Sequence, residues 1–231
     1  MQWFSLLSLL ILLVLVDNSA FADDDEIYSF VLGDRLEYHA NGDGWVWDAE
    51  GWVGGDYHKF WLKTEGDIDN GKTTEAELQL LYSRAVLPFF DLQLGVRHDF
   101  EPHPSRTFGL VGLQGLAPLW IELDVAAFVS EDGDFSARLE LEYDLLLTQR
   151  LTLQPRIELD LAAQEVSEQQ VGKGLTSTEF GVRLRYEVRR EFAPYVGVTW
   201  RKTYGRTRKF IEAEGERDDT VSFVAGVRFW F

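Results

Sequence analysis

Cysteine is absent and methionine occurs once, as Met1, in this chain of 231 residues. Neither a disulfide framework nor thiolate ligation of a metal is open to it, and no thioether follows the first residue. Bases are scarce: 22 Lys and Arg stand against 39 Asp and Glu, a net charge of −17. So acidic a chain is repelled by phosphate backbones, which excludes nucleic acid as a partner and favours cations. After the N-terminus no apolar run reaches the ~18 residues of a membrane helix. Nucleophile-elbow, phosphate-loop and dinucleotide-binding patterns are missing, as is the His-Asp-Ser type arrangement of outer-membrane phospholipase, so no enzyme is expected.

What is present begins with an N-terminal apolar run, Leu6–Val16, followed by Ala20-Phe21-Ala22. The run has the length of a secretory signal core, and the small-x-small triplet fits a cleavage site, although Met1–Ser5 carries no Lys or Arg. Residues 1–22 are therefore read as a cleaved signal peptide and 23–231 as one exported domain. An uncleaved anchor is the alternative.

From there to the C-terminus the sequence repeats with period two. Phe135, Ala137, Leu139, Leu141, Tyr143 and Leu145 alternate with Ser136, Arg138, Glu140, Glu142 and Asp144, and Phe180, Val182, Leu184, Tyr186 and Val188 alternate with Glu179, Gly181, Arg183, Arg185 and Glu187. A strand puts each set on one face; a helix would scatter both. Twelve such segments lie between turn signals, at 27–39, 45–53, 57–66, 73–86, 90–100, 106–116, 119–130, 134–147, 151–163, 175–188, 193–204 and 219–231. The reading is an all-β, transmembrane, antiparallel up-and-down β-barrel of about 12 strands, the even count that single-chain bacterial barrels have.

The connections alternate. Asn41–Gly44, Asp67–Lys72, Glu101–Arg106, Glu131–Gly133, Gln164–Gly174 and Arg206–Asp219 are the longer, polar set; Gly54–Asp56, Leu87-Pro88, Ala117-Pro118, Gln149-Arg150 and Arg189–Phe192 are the shorter. Long loops outside and short periplasmic turns suit an outer-membrane barrel, with lipid as a partner. Aromatics near strand ends, among them Tyr28, Tyr38, Trp45, Trp47, Tyr57, Trp120, Tyr195, Trp200 and Phe229, read as interfacial girdles. Periodicity does not tell inside from outside, so a soluble sandwich or lipocalin-like barrel is the competing fold. The signal peptide, the even count and the closing row Val221, Phe223, Ala225, Val227, Phe229, Phe231 favour the membrane barrel.

If the apolar rows face lipid, the opposite rows line a lumen in which acids outnumber bases. One reading is a salt-bridged plug, because buried charges need partners; the other is a cation path or site, because an apolar wall focuses the field of an acidic lumen. The four histidines, His39, His58, His98 and His103, all lie in the first half. Imidazole and carboxylate together suit copper, zinc or nickel. His39 shares an inward row with Glu37, Asp48 on the next strand is placed to join them, and His98 and His103 flank Asp99 and Glu101 across a loop. None has an established metal-motif spacing, and a polar rim or loop histidine is the plain alternative for each.

Several ordered stretches resemble the copper resistance protein B family: Asp34-Arg35-Leu36-Glu37-Tyr38, Trp47-Asp48-Ala49-Glu50-Gly51-Trp52, Gly54–Gly66, Leu80–Ala85 and Gly95-Val96-Arg97-His98-Asp99. The resemblance extends over the whole exported part. It implies an outer-membrane barrel acting in copper tolerance and homeostasis by binding or passing copper ions. Members typically carry a Met- and His-rich extension ahead of the barrel, whereas here Ala22 is followed directly by Asp23-Asp24-Asp25-Glu26. Soft thioethers select Cu(I), so a site here would be a His/carboxylate site for Cu(II), with His39, Glu37, Asp48, His98 and His103 as candidates. A small pore with an acidic lumen and a plugged structural barrel are the alternatives.

Overall fold

A computed structural model describes residues 26–40, 44–215 and 217–231. The signal peptide and the Asn41-Gly42-Asp43 turn expected from the sequence lie outside these residues. Thirteen strands follow in order: β1 (Tyr28–His39), β2 (Gly44–Gly54), β3 (His58–Asp69), β4 (Lys72–Leu87), β5 (Phe90–Glu101), β6 (Arg106–Ala117), β7 (Ile121–Ser130), β8 (Phe135–Tyr143), β9 (Leu145–Leu146), β10 (Leu151–Ala162), β11 (Gly174–Tyr186), β12 (Phe192–Thr203) and β13 (Asp219–Trp230). Every pairing is antiparallel between neighbours, and β13 pairs with β1, so the sheet closes on itself. The two-residue β9 continues β8 against β10, which makes twelve staves.

The break between β8 and β9 has a cause in the sequence. Odd-numbered residues of β10 turn their amide groups toward this neighbour: Leu147 N–H donates to Leu151 O, and Ala163 N–H to Phe135 O. With Arg156 opposite Glu142, Pro155 stands opposite Tyr143, the last residue of β8. Proline has no N–H to give, and the ladder lapses there.

Polar and apolar faces are reversed relative to a soluble barrel. Phe60, Leu80, Val196 and Phe223 are each more than half exposed, while Glu37, Arg156, Arg183 and Arg185 are buried. Along β11, Arg183 and Arg185 point in, and Phe180 and Leu184 point out. The apolar wall therefore faces outward and the charged rows face the lumen, as the membrane reading requires. Among the described residues, apolar packing inside centres on a small cluster of Leu81, Leu110 and Phe128, with Trp61, Phe108 and Ala126 against it.

Three sequence expectations are corrected. The β3–β4 link is not a loop from Asp67 to Lys72 but the two-residue turn Asn70-Gly71, both at positive φ (49° and 76°), the geometry that lets a hairpin follow the twist of its strands. The long link after β12 holds a helix, α1 (Gly205–Glu214), closed by Gly215 at φ 86°. Tyr195 does not belong to the rim: Val196 and Val198 on either side of Gly197 point out, so Tyr195 points into the lumen and is 5% exposed. Room for its ring comes from Gly226, where a Cβ would stand 2.6 Å from the phenol.

Candidate functional site

Inside the wall, arginines act as hubs. Arg156 on β10 reaches Glu140 and Glu158 at 2.5 Å each, Glu142 at 3.2 Å and Glu179 at 3.5 Å. Arg35 on β1 binds Asp48 at 3.0 Å and Glu65 at 2.6 Å. Such pairs are what a guanidinium needs where water is scarce. Other bonds run across the barrel: Arg138 on β8 meets Glu65 on β3 (3.1 Å) and Glu77 on β4 (3.3 Å), and Lys63 on β3 meets Asp124 on β7 (2.8 Å). Arg201 on β12 reaches Glu75 on β4 at 3.8 Å. Side chains from facing walls thus bridge the lumen.

On one side of these bridges lies a cavity of about 500 Å³. Phe89, Leu116 and Glu122, next to the short turns after β4 and β6, line it, so it belongs to the short-turn end. Ten carboxylates line it together with three bases, Lys63, Arg138 and Arg228, while Arg35, Arg97, Arg156 and Lys59 in the surrounding wall pair with six of these acids, so acids outnumber bases ten to seven. Lys63 serves Asp124 closely and Glu50 at 3.9 Å, and Arg228 is bound to Asp34 at 2.6 Å. Glu122 is exposed and takes part in no ion pair among the described residues. The arrangement is an acidic vestibule with a floor of cross-barrel ion pairs.

Of the residues proposed from sequence, Asp48 lines this cavity and the other four lie elsewhere. His39 and Glu37 do meet, with His39 Nε2 2.9 Å from Glu37 Oε1, at the long-loop end. Glu37 is also gripped by Arg183 through two bonds, 2.9 and 2.8 Å, and accepts from Tyr195 Oη at 3.1 Å. Asp48 does not join them. It is opposite Arg35, whereas His39 is opposite Gly44, four residues or ~13 Å along β2. His98 lies on the outward row of β5, where its Nδ1 is 2.9 Å from Thr107 Oγ1, and His103 in the next loop is bonded to Phe100 O at 3.0 Å, with Glu101 3.3 Å away. Among the described residues no three His, Asp or Glu converge as a ready metal site. The vestibule carboxylates other than Asp34 were visible in the sequence as lumen rows; Asp34 breaks the alternation at the irregularity that follows Gly33, and period two carries no information on which rows meet across a barrel.

A family model described as "Copper resistance protein B precursor (CopB)" matches residues 27–231. The chain belongs to the copper resistance protein B family. Copper resistance protein B of Escherichia coli is 48% identical over 210 residues, covering 90% of this chain and 71% of the relative. A copper resistance protein B homolog of Pseudomonas syringae pv. tomato is 42% identical with the same coverage. Among solved structures, the NanC porin superposes with a TM-score of 0.57 at 14% identity, covering 87% of this chain and 99% of the porin. The KdgM porin gives 0.51 at 14% identity, covering 88% and 99%. These two likenesses are of fold.

Proposed function

We propose that this member of the copper resistance protein B family sits in the outer membrane and acts in copper tolerance by holding Cu(II) in the acidic vestibule at the short-turn end. The carboxylate excess of that cavity supports the reading. A divalent cation gains from the summed field of acids set in a low-dielectric wall, and the oxygen donors of this cavity, whose lining includes no histidine among the described residues, suit Cu(II) better than Cu(I). The cross-barrel ion pairs favour holding the ion over free passage. The His39–Glu37 pair is the weaker alternative, because Arg183 already occupies that carboxylate and repels a cation.

Titration of the refolded mature chain with Cu(II), Cu(I) and Zn(II) tests this. The triple variant Glu50→Gln/Glu122→Gln/Asp124→Asn should lose most Cu(II) binding, and His39→Ala/His98→Ala should keep it. Loss in the histidine variant alone would move the site to the long-loop end. Undiminished binding in both would remove the vestibule from the mechanism. A deletion strain should be more sensitive to copper than to zinc.

A further inference from the structure

On the outer wall one arginine stands in an apolar row. Arg84 is on β4, exposed, and shares its face with Leu80, Tyr82 and Val86, which are 53%, 37% and 45% exposed. It takes part in no ion pair among the described residues. Directly across the β3 ladder is His58, also exposed. The His58 ring stacks on Tyr82 at 5.8 Å and 22°, with Nδ1 2.5 Å from the phenol oxygen. In the tautomer that accepts the phenol O–H at Nδ1, the ring carries its proton on Nε2 and can donate it outward; a protonated ring donates there as well.

We infer that Arg84, His58 and Tyr82 form an external site for the phosphate of a membrane glycerophospholipid in the leaflet at the short-turn end. An unpaired guanidinium on a lipid-facing row is costly unless it reaches the headgroup level and finds an anion. Arg84 is three residues from the end of β4 at Leu87, within ~10 Å of the rim. A phosphodiester offers acceptors that the guanidinium can bind in pairs, and the imidazole N–H supplies a further donor beside it. Phe60, cross-strand from Tyr82 and 64% exposed, adds apolar surface for the acyl chains. The short turns and both ends of the barrel chain lie at this rim, the periplasmic side of an outer-membrane barrel, where the leaflet is phospholipid. The inference rests on the membrane reading of the barrel and is independent of the copper reading.

Native mass spectrometry of the mature chain refolded in detergent tests it, with dimyristoylphosphatidylglycerol as the phosphate-bearing probe and dimyristoylglycerol as its phosphate-free counterpart. The wild type should retain the phospholipid in preference to the diacylglycerol. Arg84→Gln should bind the phospholipid about tenfold more weakly, the loss expected for one charge-assisted contact, with Arg84→Lys between the two. His58→Phe, which keeps the stacked ring, should weaken binding by a smaller factor. Phospholipid retention by Arg84→Gln equal to wild type, or equal retention of both probes by the wild type, overturns the site. Failure of the wild type to acquire a heat-resistant folded form in detergent or phospholipid vesicles overturns the membrane reading and the site with it.

Discussion

Glu37 shows what a charge inside this lumen requires. It is wholly buried and answers Arg183 with both oxygens, Tyr195 with one and His39 with the other. Removing its charge leaves Arg183 buried and unpaired, a change that costs about 3–5 kcal/mol, whereas apolar replacement of both partners is close to neutral. Glu37→Gln should therefore lower the urea midpoint of the barrel in phospholipid vesicles, and Glu37→Met/Arg183→Met should recover most of it. A single variant no less stable than the double would show that water already reaches Arg183. That His39 and Glu37 share an inward row was legible from parity on β1. The grip of Arg183 was not, because it joins residues 146 positions apart in sequence.

At the scale of elements, strand positions were readable nearly to the residue, since a wall with an apolar outer face and charge on the inner one enforces strict alternation. Departures fall where another rule overrides period two. Pro155 stops β8 by withholding an amide, so Pro155→Val should extend the strand through Asp144 and add up to about 1.5 kcal/mol, with the new amide slow in hydrogen exchange. Exchange at a loop rate would refute the explanation. Helix α1 leaves no trace in a period-two pattern, although Gly215 and the Arg208–Glu212 pair, 3.6 Å apart at i,i+4 spacing, are helical signals in the sequence. The β7–β8 loop is held by Arg106, which donates to Ser130 at 2.9 Å, to Asp132 at 3.0 Å and to Asp134. Hydrogen bonding by Arg106 holds the Asp134 carboxyl below its ordinary pKa. A carboxyl lowered on folding stabilises above its unfolded value, about 3.9 for Asp, and that contribution is lost as pH falls through the lower folded value. Protease cleavage in this loop should rise on acidification in the wild type and be already high, with little pH response, in Asp134→Asn.

For the whole molecule, composition indicated an acidic lumen and the repeat indicated a barrel, but whether the lumen is crossed depends on closure, which pairs rows far apart in the chain. Arg138 and Glu65 are separated by 73 positions and meet only because β8 and β3 stand on opposite walls. Their bond, with Glu77 and the Lys63–Asp124 pair, puts charged side chains across the path an ion would take. A hydrated ion passing here has to displace paired groups, and each displaced partner is left with an uncompensated charge. The wild-type barrel in planar bilayers should therefore show no resolved single-channel steps at moderate voltage. Glu65→Ala/Arg138→Ala removes one acid and one base, leaving the net charge of the lumen unchanged, and should open cation-selective steps because the vestibule acids remain. High salt in the wild type should open little, because pairs this secluded are poorly screened. Steady conductance by the wild type would show that these bridges yield to ions, and the vestibule would then be the mouth of a pore rather than a place where copper is held.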